Sequence, residues 1–210
     1  MYTHNAKPLL ALGSPLQETN KALILIHGRG ASARDILSLG QALEVEDFTL
    51  FAPEATNNSW YPYSFMAPTS QNQPALDSAL QLLDSTVHEI MAQGVTGSNI
   101  YIAGFSQGAC LALEYTTRHA QRWGGIAAFT GGLIGKSLDH ENYKGSFEQT
   151  PVFISTGDPD PHVPLSRVEE TKKIMESMGA QLSLKVFRGR PHTILQEEVD
   201  LANRLIFNPK

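Results

Sequence analysis

A serine enclosed as Gly104-Phe105-Ser106-Gln107-Gly108 follows the apolar run 100–103 and precedes the helix-like run 109–113. A Gly-x-Ser-x-Gly sequence between a strand and a helix is a nucleophile elbow, in which a sharp turn strains the serine backbone and pushes its hydroxyl clear of the sheet. Neighbouring chain passes so close to such a turn that a side chain at Gly104 or Gly108 would clash. The helix that starts there also aims its first N–H groups at the place where an oxyanion would form. A serine hydroxyl is a weak nucleophile at neutral pH and needs a base, a task that suits histidine because its pKa lies near neutrality. The base in turn needs a carboxylate to hold its tautomer and stabilise the imidazolium. The chemistry expected of such a set is acyl transfer through a covalent acyl-enzyme.

Seven histidines compete for the role of base. His4 lies in a weakly patterned N-terminal stretch, His88 and His119 fall inside helical patterns, and His140 lies in a polar loop. His27 belongs to the loop His27-Gly28-Arg29-Gly30 and is read as orienting it. His162 is read as a solvated turn residue, which leaves His192, placed after the last strand and close behind Gly189. The acid is Asp158 or Asp160, both assigned to the turn after the fifth long strand. The spacing Asp-Pro-x-Val-Pro favours Asp160, and Asp158 is read as capping that turn. Two oxyanion donors are expected from backbone N–H groups: that of Gln107, after the nucleophile, and that of Arg29, after the first buried strand. Acting through the main chain, these two leave their side chains free to vary, and the Arg29 side chain is read as solvated. Cys110, one helical turn beyond Ser106, is read as a small packing residue.

These residues need a frame that gathers them. The run 22–26, Ala-Leu-Ile-Leu-Ile, is continuously apolar, as a strand buried on both faces must be. Further strands are expected at 48–52, 100–103, 125–129, 151–155 and 182–187, with a short edge strand within 8–12. Helices are expected at about 33–43, 74–93, 165–178 and 194–206. In the second of these, Leu76, Leu80, Leu83, Val87, Ile90 and Met91 make one stripe between Pro74 and Gly94. Strands alternating with helices predict an α/β fold, a mostly parallel central sheet with helices on both faces, whose site lies beyond the carboxyl ends of the strands. His27, Ser106, Asp160 and His192 all fall there. Residues 53–73 are long, aromatic and interrupted by prolines. They are read as a wall of a substrate pocket contributed by Trp60, Tyr61 and Phe65, and residues 134–149 as a polar loop.

The chain of 210 residues is expected to form a single domain, 1–210. A net charge of −5 with no Lys/Arg cluster argues against a nucleic-acid partner. One cysteine excludes an internal disulfide, and no basic leader with an apolar core opens the sequence. No apolar run has the length of a membrane span, so a cytoplasmic setting without stable membrane insertion is expected. No grouping has metal-ligand spacing and no loop cradles phosphate, so neither a metal nor another cofactor is expected. Oligomeric state is left open.

Four stretches carry a resemblance: Leu25-Ile26-His27-Gly28-Arg29-Gly30, Gly104-Phe105-Ser106-Gln107-Gly108-Ala109, Gly157-Asp158-Pro159-Asp160-Pro161-His162-Val163-Pro164 and Gly189-Arg190-Pro191-His192. In these the chain resembles the phospholipase/carboxylesterase family of α/β-hydrolases, which includes the acyl-protein thioesterases. The resemblance spans about residues 22–206, and Trp60-Tyr61 is similar to the family's variable aromatic segment. It implies the α/β-hydrolase fold, Ser106, Asp160 and His192 as a catalytic triad, and Arg29 and Gln107 as backbone oxyanion donors. It further implies hydrolysis of short to medium acyl esters, with thioesters and lysophospholipids as related substrates. An acyltransferase or perhydrolase on the same triad, or a binding protein of the same fold, are the alternatives. Two departures stand out: little chain precedes residue 22 for an opening antiparallel hairpin, which predicts fewer strands, and Ala31-Ser32-Ala33 stands in place of a bulky aromatic insertion.

Overall fold

The computed structural model describes residues 2–4 and 9–209. Seven strands form one sheet in the order β1-β3-β2-β4-β5-β6-β7. They are β1 (Leu10–Gly13), β2 (Ala22–Ile26), β3 (Thr49–Ala52), β4 (Ile100–Phe105), β5 (Gly125–Phe129), β6 (Pro151–Asp158) and β7 (Gln181–Arg188). Only β1 runs antiparallel, against β3, and every other neighbouring pair is parallel. The opening of the chain therefore supplies one edge strand and no hairpin among the described residues; Pro8, included in the expected edge strand, lies outside them.

Successive side chains of a strand point to opposite faces, and the continuous apolar runs feed two separate cores. Ile24, Ile26, Ile102, Ile126, Val152 and Ile154 pack under α4 (Ala75–Met91), α5 (Gln107–Arg118) and α6 (Leu165–Ser177). Leu23, Leu25, Ala103, Ala127, Phe129 and Phe153 pack under α2 (Ala33–Gly40) and α7 (Gln196–Ala202). The short helices α1 (Leu16–Thr19) and α3 (Thr69–Asn72) lie in connections. Burying both faces is what makes a parallel sheet stable, and it leaves the strand ends free to carry chemistry.

Several boundaries differ from the sequence reading. Helix α2 stops at Gly40, and α7 begins at Gln196 and continues as a π-helical turn, Asn203–Phe207. Met91 is exposed rather than part of the α4 stripe. Strand β6 runs three residues further than expected, so Asp158 pairs with Arg188 inside the sheet and Asp160 alone lies in the turn. The stretch 134–149 is not simply polar: Ile134 and Phe147 are buried. Its start is held by two buried charges, Glu114 accepting from Ile134 N–H (2.9 Å) and Arg167 donating to the carbonyls of Leu133 and Gly135. Among the described residues no helix is long and apolar enough to cross a membrane, and no three His, Cys, Asp or Glu side chains group as a metal site.

Candidate active site

Strand β4 delivers Ser106 into a backbone conformation of φ 54°, ψ −117° that few non-glycine residues adopt. Such strain costs on the order of 1–3 kcal/mol and persists only when its surroundings impose it. Here Ser106 N–H donates to Phe129 O on β5 (3.0 Å), and Cys110 N–H donates back to Ser106 O (3.0 Å) to start α5. A Cβ on Gly104 would stand 2.5 Å from Gly108 O, and one on Gly108 would stand 2.1 Å from Ile26 O. Both glycines are therefore required by close approach of backbone, β4 against α5 and α5 against the end of β2.

Three loops that leave the carboxyl ends of β4, β6 and β7 meet at the serine. His192 Nε2 lies 2.8 Å from Ser106 Oγ, and His192 Nδ1 lies 2.8 Å from Asp160 Oδ2. An ionised carboxylate only accepts, so Nδ1 carries the proton and Nε2 faces the serine hydroxyl as acceptor. The Asp160 side chain is fully buried, and its Oδ1 accepts from the N–H groups of His162 (2.8 Å) and Val163 (2.9 Å). Burial by itself pushes this carboxyl up; the hydrogen bonds from His192, His162 and Val163 outweigh it and hold the group below the ordinary carboxylate range. Of the two candidate acids, Asp160 is the one the structure brings to His192.

Gln107 is the first residue of α5, so its N–H has no acceptor within the helix. In the β2–α2 loop, Gly30 N–H donates to Asn58 O (2.7 Å) and Ala31 N–H to Gly28 O (3.2 Å), and Arg29 N–H between them makes no such bond among the described residues. His27 is fully buried, with Nδ1 2.8 Å from Gly28 O and Nε2 accepting from Ala55 N–H (3.2 Å). It shapes this loop and has no ring nitrogen left for the serine. A cavity of about 760 Å³ opens over Ser106, lined on one side by Tyr61, Tyr63 and Phe65 and on the other by His162, Val163 and His192.

The family model described as phospholipase/carboxylesterase matches residues 9–207. The chain belongs to this family. A phospholipase/carboxylesterase from Dyadobacter fermentans is 59% identical with a TM-score of 0.97, the match covering 99% of each chain. Esterase PE8 is 26% identical with a TM-score of 0.76, over 92% of this chain and 94% of the other. Acyl-protein thioesterase 1 of Kluyveromyces lactis is 28% identical over 92% of this chain and 94% of its own length. Family membership makes the chain a hydrolase of the carboxylic-ester class with the α/β-hydrolase fold.

In this phospholipase/carboxylesterase-family chain Arg29 is exposed, as the sequence reading expects, but neither its side chain nor that of Gln107 is unengaged, which argues against both being free to vary. Gln107 Oε1 accepts from Trp60 N–H (3.0 Å), and its Nε2 donates to Tyr61 O (2.8 Å). Arg29 donates to Ser59 Oγ (3.0 Å), Pro62 O (2.8 Å) and Tyr63 O (2.7 Å). The backbone of the aromatic segment is thus strapped to the two expected oxyanion residues. Buried Asn72 continues the strap, accepting from Tyr63 N–H (2.9 Å) and donating to Ser64 O (2.9 Å). Even His4, expected in a loose stretch, lies 2.9 Å from Trp60 O through Nε2.

The structure sorts the three expected wall residues. Tyr61 and Phe65 line the cavity, but Trp60 stands behind it, fully buried, its indole N–H donating to His27 O (2.8 Å) and its ring 4.9 Å from that of His27. A buried indole N–H usually takes a hydrogen-bond partner, and for Trp60 that partner is the His27 carbonyl at the start of the loop 27–30. Cys110 also lines the cavity; burial pushes its thiol up to about 12, which keeps it a neutral packing group. The sequence reading has His162 as a solvated turn residue and does not single out Arg190. Exposed His162 is part of the cavity, its ring set edge-on to His192 at 4.9 Å. Arg190, two residues before the expected base, is buried and ties the base loop to two elements. It donates to Thr130 Oγ1 at the end of β5 (2.6 Å) and pairs with fully buried Glu198 on α7 (3.5 Å). An arginine between glycine and proline was the available signal, since that position has no reason to be charged unless the charge is used.

Proposed function

We propose that the chain is a serine esterase in which Ser106 is the nucleophile, His192 the general base and Asp160 the residue that orients and charges-balances His192. The continuous 2.8 Å chain from Ser106 Oγ through His192 to Asp160 carries this reading. Ser106 Oγ attacks the acyl carbonyl while Nε2 of His192 takes its proton, and the N–H groups of Arg29 and Gln107 receive the oxyanion. The imidazolium gives that proton to the departing alcohol or thiol. Water, deprotonated by His192, then releases the acid. The cavity beside Tyr61 and Phe65 suits acyl chains of short to medium length, and thioesters fall within the same chemistry. No cofactor enters any step. The net charge of −5 supports a small acyl ester rather than a nucleic acid as the partner, and a cytoplasmic setting is part of the same proposal.

The test is hydrolysis of p-nitrophenyl esters from acetate to palmitate by the wild type and Ser106→Ala. Turnover by the wild type, reduced about 10⁴–10⁶-fold by Ser106→Ala, is the expected outcome. Activity that survives the substitution overturns the assignment. Product analysis with added alcohol separates hydrolysis from acyl transfer.

A further inference from the structure

Beside the cavity over Ser106 lies a second depression of about 300 Å³, lined by the apolar residues Ala31, Ile36, Leu39, Phe105 and Ile194 and also by Asp35 and Ser38. It shares Gly28, Ala31 and Phe105 with the main cavity. It begins next to the nucleophile, because a Cβ on Gly28 would stand 3.5 Å from Ser106 Cβ and 3.4 Å from the Phe105 ring. Phe105 is the partition: its ring lies 5.2 Å from that of His192, and Ile194 follows His192 by two residues. Leu39, Phe105 and Ile194 are only partly buried against the α2 and α7 core, and the adjoining Leu195 is exposed. Apolar side chains left partly open beside a nucleophile form a place where an apolar chain loses water.

An ester presents two arms to the serine, and their directions are set by different groups. The leaving oxygen must reach His192 Nε2 to be protonated, so the chain attached to it starts on the His192 and Phe105 side. The acyl arm has the space between Tyr61 and Phe65. We infer that the depression between α2 and Ile194 is a leaving-group subsite that takes the linear apolar chain of an alcohol or thiol. This rests on the serine-esterase reading. It makes the chain an enzyme that reads both ends of its substrate, with a preference for esters of alkyl alcohols over methyl esters.

Full burial of a methylene gives about fourfold in affinity, and a depression open on one side buries about half of each, so about twofold per methylene is expected. The experiment measures kcat/KM for acetates of linear alcohols from methanol to hexanol, and for methyl esters from acetate to hexanoate. Wild type, Leu39→Asn and Ile194→Asn are compared. The hexyl-to-methyl acetate ratio is expected to be about 30 in the wild type and to fall below about 5 in both variants. The hexanoate-to-acetate ratio of the methyl esters is expected to keep its wild-type value. Each ratio is taken on one protein sample, so partial unfolding cancels. A flat alcohol series in the wild type overturns the subsite, as does a variant that lowers the acyl-chain ratio and spares the alcohol ratio. Absence of Ser106-dependent turnover on every ester, including p-nitrophenyl acetate, overturns the esterase reading instead.

Discussion

The two sides of the cavity are built by opposite means. The aromatic side, residues 59–65, has no regular sheet or helix to hold its main chain through the cavity and is bound by amide and guanidinium side chains from other elements, chiefly Gln107 at the start of α5, Arg29 in the β2–α2 loop and Asn72 on α3. All of those bonds end on neutral oxygens or N–H groups. The base side, by contrast, is held by buried carboxylates: Asp160 on His192, and Glu198 paired with buried Arg190 behind them. Hydrogen bonds to main chain are individually worth about 0.5–1.5 kcal/mol when neutral and about 1.5–3 kcal/mol from a charged donor such as Arg29, and they add rigidity by number. A buried ion pair adds little net stability when intact, yet is costly when one partner is removed. The aromatic side should therefore fail gradually, and the base side abruptly.

The largest expected effect is at Arg190. Arg190→Met leaves Glu198 charged and buried, and it is expected to destabilise the protein by about 3–5 kcal/mol in chemical denaturation. The double variant Arg190→Met/Glu198→Gln is expected to recover part of that loss. Equal stability of single and double variants would remove the ion pair from the comparison. Trp60→Ala comes next. Because Trp60 stands behind the wall, about 3–5 kcal/mol of stability is expected to be lost, with the acyl-length profile of the residual activity close to wild type. A selective change in chain-length preference without loss of stability would put the indole back in the cavity.

Gln107→Ala tests the gradual side. Its two short bonds to Trp60 N–H and Tyr61 O are expected to contribute about 1–3 kcal/mol together, and their loss also loosens the oxyanion loop. A kcat reduction on acetate and longer esters alike, with KM little changed, is the outcome that supports a strap. A change confined to long esters would make Gln107 a substrate contact only. The smallest effect is in pH. The Asp160 carboxyl titrates below its unfolded value of about 3.9, so its stabilising contribution is complete above that pH and is lost as pH falls through the lower, folded value. Melting temperature of the wild type is thus expected to approach that of Asp160→Asn only below about pH 4, while activity above pH 4 is not limited by Asp160 protonation.

Much of this was legible before any coordinate. The apolar run of β2, the strand–elbow–helix around Ser106, and the turn of Asp160 are local patterns, and local patterns report periodicity and turn chemistry directly. The mostly parallel sense of the sheet followed from the alternation of strands and helices, and an edge strand was expected within 8–12; the antiparallel pairing of β1 with β3 was not legible, because a strand's direction is set by its partner. The choice between Asp158 and Asp160 turned on where β6 ends, and a strand end is set by its neighbour: pairing with β7 carries β6 through Asp158 and leaves Asp160 to the turn.

The sequence by itself determined the fold class, the family resemblance, and the serine and histidine that meet at the strand ends, and it narrowed the carboxylate to Asp158 or Asp160 with Asp160 favoured. Each rests on residues within a few positions of one another, where spacing alone constrains geometry. Only the tertiary structure decided that Trp60 supports the loop 27–30, that Gln107 and Arg29 strap the aromatic segment, and that Arg190 and Glu198 hold the loop of His192. Those contacts join side chains to groups far away in sequence, as from Gln107 to Trp60 or from Arg190 to Thr130. A long polar side chain bears no local mark of its distant partner, because its bond is chosen by the packing of the sheet and not by its neighbours in the chain.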